Sequence, residues 1–260
     1  MLKNNLLNRR TIFILIAITA LSICLWGIYW GLYKGVIRFN YPSFKDYPVH
    51  GIDISHHQND IEWSQLDKKY VQFVFIKATE GKDFKDRTFK ENLANARYHN
   101  IPAGAYHFFT FCSAGKLQAE HFIKEVPKEL ISLPPAIDLE FGGNCRLNLS
   151  DDQLAKEINN YIQIVENYYQ KKVIIYATQE FYQSYLTNQF LDNPLWIRDI
   201  YKQPNLKNDR KWLFWQYANR GKLKGINTFV DFNVFNGSKE QFNHDLIGET
   251  DYHRPPNYRY

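Results

Sequence analysis

Eight short apolar segments recur along this 260-residue chain after residue 49, and amphipathic stretches separate the early ones. Short apolar runs are typical of buried strands, whereas an apolar repeat of 3.6 residues predicts a helix. The predicted strands are residues 50–55, 71–79, 103–109, 134–140, 172–177, 195–200, 212–218 and 229–235. The predicted helices are residues 86–99, 113–130, 150–170 and 179–190. Strands that alternate with helices predict a parallel sheet with crossover connections.

The number of strands favours a closed barrel. Eight strands within about 190 residues suit a (β/α) barrel, and the short connections late in the chain leave little room for the last helices. The predicted fold class is therefore α/β: a modified TIM-like (β/α) barrel with reduced late helices over residues 49–245, followed by an irregular tail over residues 246–260.

A second apolar feature lies near the start of the chain, where residues 11–33 contain no charged side chain. As a helix these 23 residues measure ~34 Å, which spans a hydrocarbon core of ~30 Å. Basic residues within residues 1–10 predict that this end stays in the cytoplasm, although Lys34 and Arg38 weaken the asymmetry. We expect an uncleaved, single-pass anchor in the bacterial cytoplasmic membrane, with the barrel on its outer side.

A cleaved signal peptide is the alternative interpretation of the same segment. It requires a shorter apolar region and a cleavage site with small residues, and no convincing A-x-A site follows here. Both interpretations place the barrel outside the cytoplasm. Residues 34–48 are predicted to form a tether, because Pro42 and Pro48 discourage regular structure.

The net charge of +5 comes from the N-terminal segment and not from the predicted barrel. Six of the 32 basic residues and one of the 27 acidic residues precede residue 49, which leaves 26 of each sign in the rest. A nucleic-acid-binding domain would carry a basic excess, so nucleic acid is excluded as a partner.

Two cysteines in the predicted barrel, Cys112 and Cys145, each follow one of two consecutive predicted strands. An exported domain permits a disulfide between them, and the sequence alone leaves that pairing open.

Carboxylates end several of the predicted strands. Asp138 and Glu140 lie two residues apart, so a strand would point both side chains to one face. Asp53 lies near the end of the first strand and Asp231 on the last, which neighbours the first in a closed barrel. A lone pair of this kind is more often merely solvated, but four acids at one mouth can hold a proton for cleavage of a glycosidic bond.

Aromatic residues make up 17% of the chain, and several lie near the ends of the same strands. An acidic cleft with aromatic walls suits a polysaccharide, while a large aromatic core would produce the same composition. The residues predicted to bind substrate are Tyr106, Tyr176, Trp196, Trp215 and Gln216.

These segments resemble family 25 of the glycoside hydrolases, the Chalaropsis-type lysozymes or N-acetylmuramidases. The resemblance covers about residues 49–240 and follows the family's order. The matching segments are Gly51-Ile52-Asp53-Ile54-Ser55-His56-His57-Gln58, Phe75-Ile76-Lys77-Ala78-Thr79-Glu80-Gly81, Gly104-Ala105-Tyr106-His107-Phe108, Asp138-Leu139-Glu140, Ile175-Tyr176, Trp215-Gln216-Tyr217 and Val230-Asp231-Phe232-Asn233-Val234-Phe235.

The resemblance implies a peptidoglycan hydrolase that cleaves the β-1,4 bond between N-acetylmuramic acid and N-acetylglucosamine. Glu140 would then be the proton donor and Asp138 its partner, with Asp53 and Asp231 completing the acidic cluster. The resemblance also favours attack by the substrate's own N-acetyl oxygen, with Asp138 and Tyr176 orienting the acetamido group. Where the family often has a small residue after Trp-Ile, this chain has Arg198 and Asp199.

Other functions give different expectations. A non-catalytic glycan-binding or scaffold protein of the same fold would be expected to lack a central acid. A metal-dependent hydrolase would need side chains that bind the metal ion. His56 and His57 are adjacent, so on a strand they would face opposite sides and share one ion poorly. We expect no metal, no cofactor, an internal Lys77–Glu80 ion pair and a monomer.

Overall fold

The computed structural model describes residues 8–37 and 40–247, and the chain divides into two compact units, Met1–Phe39 and Asn40–Tyr260. Parts of the predicted cytoplasmic segment (residues 1–7), the tether (residues 38–39) and the tail (residues 248–260) lie outside the described residues.

The first unit contains one long helix, α1, at Arg9–Tyr33. The side chain of Asn8 accepts a hydrogen bond from the backbone N–H of Arg10, which caps the first turn. An 18-residue window of α1 has a mean hydropathy of 2.4, and no residue of that window is buried. The helix is long and apolar enough to cross a bilayer, a property that signal sequences share.

The second unit is built around a closed barrel, which confirms the predicted fold class. Its strands are His50–Ile54 (β1), Phe73–Glu80 (β2), Phe84–Lys85 (β3), Ala103–Phe108 (β4), Ala136–Leu139 (β5), Ile174–Thr178 (β6), Leu195–Arg198 (β7), Phe214–Gly221 (β8) and Val230–Phe235 (β9). The short β3 pairs with β2 alone, and the other eight coincide with the eight predicted strands.

Helices cover the early strands and shrink toward the end of the chain, as predicted. They are Phe89–Tyr98 (α2), Gly115–Glu125 (α3), Asp151–Tyr169 (α4), Gln179–Phe181 (α5) and Lys239–Phe242 (α6). The last two continue as single π-helical turns, Tyr182–Leu186 and Asn243–Ile247.

The order of strands around the barrel is β1, β2, β4, β5, β6, β7, β8 and β9, and β9 returns to β1. Seven strands are parallel, as expected, but β9 is antiparallel to both neighbours. The physical reason is the short link over residues 222–229, since a parallel crossover needs a dozen or more residues. The parallel strands all finish at one end of the barrel, here called the mouth, and β9 starts there.

Aromatic rings fill the barrel below the mouth. Phe73 and Phe75 on β2 contact Phe214 on β8, with ring centroids 5.1 and 5.5 Å apart respectively. A Cβ at Gly104 would lie 2.4 Å from the ring of Phe75, so only glycine leaves room for this packing. Phe242 of α6 packs on Phe73 and closes the far end.

The outer surface of the barrel packs against the helices. The face of α4 made by Leu154, Ile158, Tyr161 and Val165 is buried, and Ser150 begins this helix with a reciprocal capping box. Cys112 and Cys145 form a disulfide that joins the loop after β4 to the loop after β5.

Residues 40–48, which belong to the predicted tether, contact the outer surface where the late helices are short. The Nδ2 of Asn40 donates to the carbonyl oxygens of Asp199 and Tyr217, at 3.2 and 3.3 Å. Tyr47 packs on Trp212 with ring centroids 5.8 Å apart. These side chains therefore shield a part of the barrel that no long helix covers, while the domain boundaries remain predictions.

Candidate active site

A cavity of about 270 Å³ opens at the mouth. Its lining consists mainly of inward-facing positions on seven strands, because alternate residues of a strand point into the barrel. The lining residues are Asp53, Tyr106, Asp138, Glu140, Tyr176, Trp196, Arg198, Gln216, Asn219 and Asp231. The structure thus brings all four predicted acids to one cavity, although 178 positions separate the first from the last.

The four acids form two facing pairs. Asp138 on β5 and Glu140 directly after it make one pair, and Asp53 on β1 and Asp231 on β9 make the other. β5 and β9 lie four strands apart in the closed order of eight, which places them on opposite sides of the cavity. Asp231 reaches the mouth because β9 is antiparallel and begins there, where Asp231 pairs with Asp53.

Asp53 is held by a buried hydrogen-bond network. Its Oδ2 accepts from Gln216 Nε2 at 2.9 Å and from Asn233 Nδ2 at 2.7 Å. Tyr176 OH donates to Gln216 Oε1, and Trp196 Nε1 donates to Asn233 Oδ1. These partners fix the orientation of both amides and of the carboxylate between them.

Burial shifts the protonation of all four acids in the same direction. It raises the pKa of Asp53 to about 6, although hydrogen bonds from the two amides oppose the shift. Burial, and then the charge of Glu140, raise the pKa of Asp138 well above its ordinary value. Burial also raises the pKa of Glu140, and burial followed by the charge of Asp53 raises the pKa of Asp231. The cavity therefore favours protonated carboxyl groups.

Asp138 has one oxygen without a partner. Its Oδ1 is buried, and no hydrogen-bond partner for it occurs within residues 8–37 and 40–247. A buried carboxylate oxygen without a donor costs free energy, so this atom is suited to accept a hydrogen bond from a bound molecule.

Two cations lie near these acids. Lys77 pairs with Glu80 at 2.7 Å, which confirms the predicted internal ion pair, and its Nζ also lies 4.7 Å from the centroid of the Phe108 ring. The second cation is Arg198, which lines the cavity at the end of β7.

Four of the five residues predicted to bind substrate line the cavity: Tyr106, Tyr176, Trp196 and Gln216. Trp215 does not. It is 3% exposed, and its Nε1 donates to the carbonyl oxygen of Asp199 on the outer side of the barrel. The reason is the strand period, because Trp215 and Gln216 are adjacent and only one of them can point inward.

Three residues of the site were not predicted as such. Arg198 was noted only as a departure from the family pattern, although its spacing of two from Trp196 would have placed it inward. Asn233 was part of a matching segment without an assigned role. Asn219 reaches the cavity where the pairing of β8 with β9 shifts register. No sequence pattern predicted this bulge.

The two adjacent histidines are placed outside the cavity lining. His56 Nδ1 lies 2.8 Å from Asp86 Oδ2, and the ring of His56 packs on that of His57. Within the described part of the chain there is no group of three or more His, Cys, Asp or Glu side chains arranged to hold a metal ion. The absence of a metal from the reaction remains a prediction.

Comparisons with known proteins agree with this geometry. Residues 52–226 match the family described as glycosyl hydrolases family 25. A protein of Escherichia coli K12, Uncharacterized protein YegX, is 35% identical over 228 residues, which are 86% of this chain and 82% of that protein. Lysozyme M1 of Streptomyces globisporus is 33% identical over 202 residues, which are 73% of this chain and 68% of that protein. A family 25 glycosyl hydrolase from Bacillus anthracis has a solved structure with a TM-score of 0.74 at 42% identity, over 79% of this chain and 97% of that one.

The raised pKa of Asp53 makes a prediction about stability. Between pH 3.8 and about 6 the folded protein keeps a proton on Asp53 that the unfolded chain has lost, so the free energy of unfolding falls as pH rises through this window. Asp53→Asn removes this loss, which amounts to at most about 3 kcal/mol at ~1.4 kcal/mol per pKa unit. Urea unfolding of the full chain in detergent micelles, followed by tryptophan fluorescence, measures the difference.

The control for this measurement is Asp60→Asn, which changes an exposed aspartate outside the cavity lining. We expect the Asp60 variant to follow the wild type at every pH. The prediction would be contradicted if the free energy of unfolding changed with pH in the same way for the wild type and the Asp53 variant across pH 4–6.

Proposed function

This chain belongs to family 25 of the glycosyl hydrolases, a family of lysozymes and muramidases that hydrolyse peptidoglycan, and from that premise we propose that it is a membrane-tethered N-acetylmuramidase. The bond cleaved is the β-1,4 bond between N-acetylmuramic acid and N-acetylglucosamine. The observation that carries the proposal is the cavity in which two carboxyl pairs face each other at the mouth.

Glu140 is the proposed proton donor. It follows β5 directly and stays partly exposed at the mouth, so a sugar oxygen can reach it. Its raised pKa lets it keep the proton to a higher pH than an ordinary glutamate, which favours a role as general acid. The proton passes to the glycosidic oxygen as the bond to the anomeric carbon breaks.

Asp138 is the proposed partner that positions the substrate. Its unpartnered Oδ1 can accept a hydrogen bond from the N–H of an acetamido group, which turns the acetamido oxygen toward the anomeric carbon. That oxygen then replaces a protein nucleophile and forms an oxazolinium intermediate. Water opens this ring by attacking the anomeric carbon, and the ionised Glu140 takes the proton that the water loses. Tyr176 lines the same wall and is held by Gln216.

Asp53 and Asp231 act from the opposite side of the cavity. The transition state of glycoside cleavage carries positive charge on the sugar ring. Asp53, whose pKa of about 6 lies below neutral pH, can stabilise that charge as an ionised carboxylate. The amide network fixes Asp53 in place before substrate binds, which supports this role. Tyr106, Tyr176 and Trp196 supply the aromatic walls that hold the sugar rings.

The membrane tether rests on α1. Its length and hydropathy support a single span, with residues 1–10 in the cytoplasm and the barrel on the outer side of the bacterial cytoplasmic membrane. A monomer is also part of the proposal, and light scattering of the purified protein tests that state.

The first prediction concerns the bond and the acid. Full-length protein digesting purified peptidoglycan should release fragments with new reducing N-acetylmuramic acid ends, detected by borohydride reduction and mass spectrometry. Glu140→Gln removes the proton donor and should lower the rate by two or more orders of magnitude. Glu120→Gln is the control, because Glu120 is exposed on α3 and, among the described residues, forms an ion pair with Lys116 alone.

Three outcomes would contradict this prediction. Reducing N-acetylglucosamine ends would show that the other bond is cleaved, and loss of activity with a chelator would show a metal requirement. Unchanged cellular function of the Glu140 variant would favour a glycan-binding or scaffold protein.

The second prediction concerns the attacking group. Strands whose muramic acid is de-N-acetylated should resist the wild type, because the attacking oxygen is missing, and re-acetylation with acetic anhydride should restore cleavage. Asp138→Ala should lower kcat by about 100-fold or more on acetylated strands, because no side chain at this position then accepts a hydrogen bond from the acetamido N–H. A covalent glycosyl-aspartate found by mass spectrometry would refute this route.

The third prediction concerns the anchor. The full chain should stay in carbonate-washed membranes with residue 1 or 2 as its N-terminus, and external protease should degrade the barrel in spheroplasts. Replacing Ile16 and Leu21 of α1 by Lys should abolish membrane retention, because charges at the helix centre are costly. A mature protein that begins after residue 20 would instead show a cleaved signal peptide.

A further inference from the structure

Arg198 is placed where a substrate group would pass. It ends β7, points inward two residues after Trp196, and lines the cavity with all four acids. β7 lies four strands from β2, the strand that carries Lys77, so the two cations occupy opposite sides of the mouth.

The two cations differ in their partners. Lys77 forms an ion pair with Glu80, with 2.7 Å between Nζ and Oε2. Arg198 makes no ion pair with any Asp or Glu of residues 8–37 and 40–247, and no hydrogen bond from its guanidinium occurs within them. An arginine presents five N–H donors in a planar fork that matches a carboxylate, and here that fork is open toward the cavity.

The backbone that carries Arg198 is fixed by the next residue. Asp199 Oδ1 accepts from the backbone N–H groups of Tyr201 and Lys202, at 3.0 and 3.1 Å. The carbonyl oxygen of Asp199 accepts from Trp215 Nε1 at 2.8 Å and from Asn40 Nδ2 at 3.2 Å. A fixed backbone holds the root of the Arg198 side chain before a ligand arrives, which lowers the entropic cost of binding.

The charge of Arg198 has opposite consequences for the two roles of the acids. It favours the ionised forms of Asp53 and Asp231, but it also acts against the rise in the pKa of Glu140 that burial causes, so an unneutralised guanidinium makes the proton donor release its proton more readily. An anion bound to Arg198 would cancel this effect. The cation is therefore compatible with catalysis when the substrate itself supplies a negative charge.

We propose that Arg198 is a carboxylate-binding subsite that selects peptidoglycan strands whose muramic acid bears a negative charge. Muramic acid differs from N-acetylglucosamine by a lactyl ether, which ends in a free carboxylate or is amide-linked to a peptide with carboxylates of its own. Either source offers the planar anion that a guanidinium binds through two parallel hydrogen bonds. This inference rests on the proposed muramidase function and adds its preference for charged strands.

The test compares three substrates with the full chain in detergent micelles. The first is peptide-free glycan with free lactyl carboxylates, the second is the same glycan with those carboxylates converted to neutral methylamides, and the third keeps its stem peptides. The variants are Arg198→Gln, Arg198→Lys and the control Arg97→Gln, whose half-buried side chain lies on α2, outside the cavity lining, and donates to the carbonyl oxygen of Glu129.

We expect Arg198→Gln to lower kcat/KM at least tenfold on a carboxylate-bearing strand, chiefly through KM, and to lose the wild type's discrimination against the methylamide. Arg198→Lys should recover part of the loss, because it keeps the charge without the fork. A preference for the first substrate over the second assigns the lactyl carboxylate, and a preference for the third alone assigns the peptide. In the Gln variant the alkaline limb of the pH profile of kcat/KM should move upward, which a merely structural residue would not cause.

Two results would overturn the inference while leaving the proposed function intact. One is equal cleavage of the charged and neutral strands by the wild type, and the other is an equal loss on all three substrates in the Gln variant. Failure of the wild type on every strand would instead overturn the proposed function, and the inference with it.

Discussion

Burial of carboxyl groups at the mouth of a closed barrel is the constraint on which the rest of the structure depends. Closing eight strands forces alternate side chains inward, and the inward positions nearest the mouth are acidic on β1, β5 and β9. The same closure packs buried aromatic rings beneath them, and these rings form the floor of the cavity. Acids that would be ionised and inert in water thereby hold protons where a sugar oxygen can reach them.

Burial of these acids lowers the free energy of unfolding, and contacts elsewhere in the fold offset that loss. Asp53 is buried, and two amides satisfy one of its oxygens. Asp138 leaves one oxygen without a partner among residues 8–37 and 40–247, and a bound substrate can supply the donor. The disulfide of Cys112 and Cys145 and the packing of residues 40–48 on the barrel stabilise the walls around it. Binding of a matching polymer can offset the free-energy cost of folding this site.

Much of the fold and of the candidate site could be predicted from the sequence, because strand periodicity shows which segments are buried and the order of the strands in the chain is largely their order in the barrel. The eight strands, the four acids and the reduced late helices followed from those patterns. The direction of β9 did not, since an apolar run looks the same in either direction, yet the short link before it carried the signal. Trp215 was predicted to line the cleft as an aromatic residue near the end of its strand. Its neighbour Gln216 faces inward instead, and only the register decides which of two adjacent strand residues does so. Asn219 depended on a bulge, which is a property of two paired strands and not of one.

The central claim is that burial at the mouth keeps Glu140 protonated. Titration of its side-chain carboxyl carbon by ¹³C NMR, assigned by comparison with the Glu140→Gln variant, tests this claim without any substrate. The structure predicts a midpoint clearly above the ordinary glutamate pKa of 4.5. A midpoint at or below that value would mean that the cavity does not protect the proton, and it would remove Glu140 as the donor.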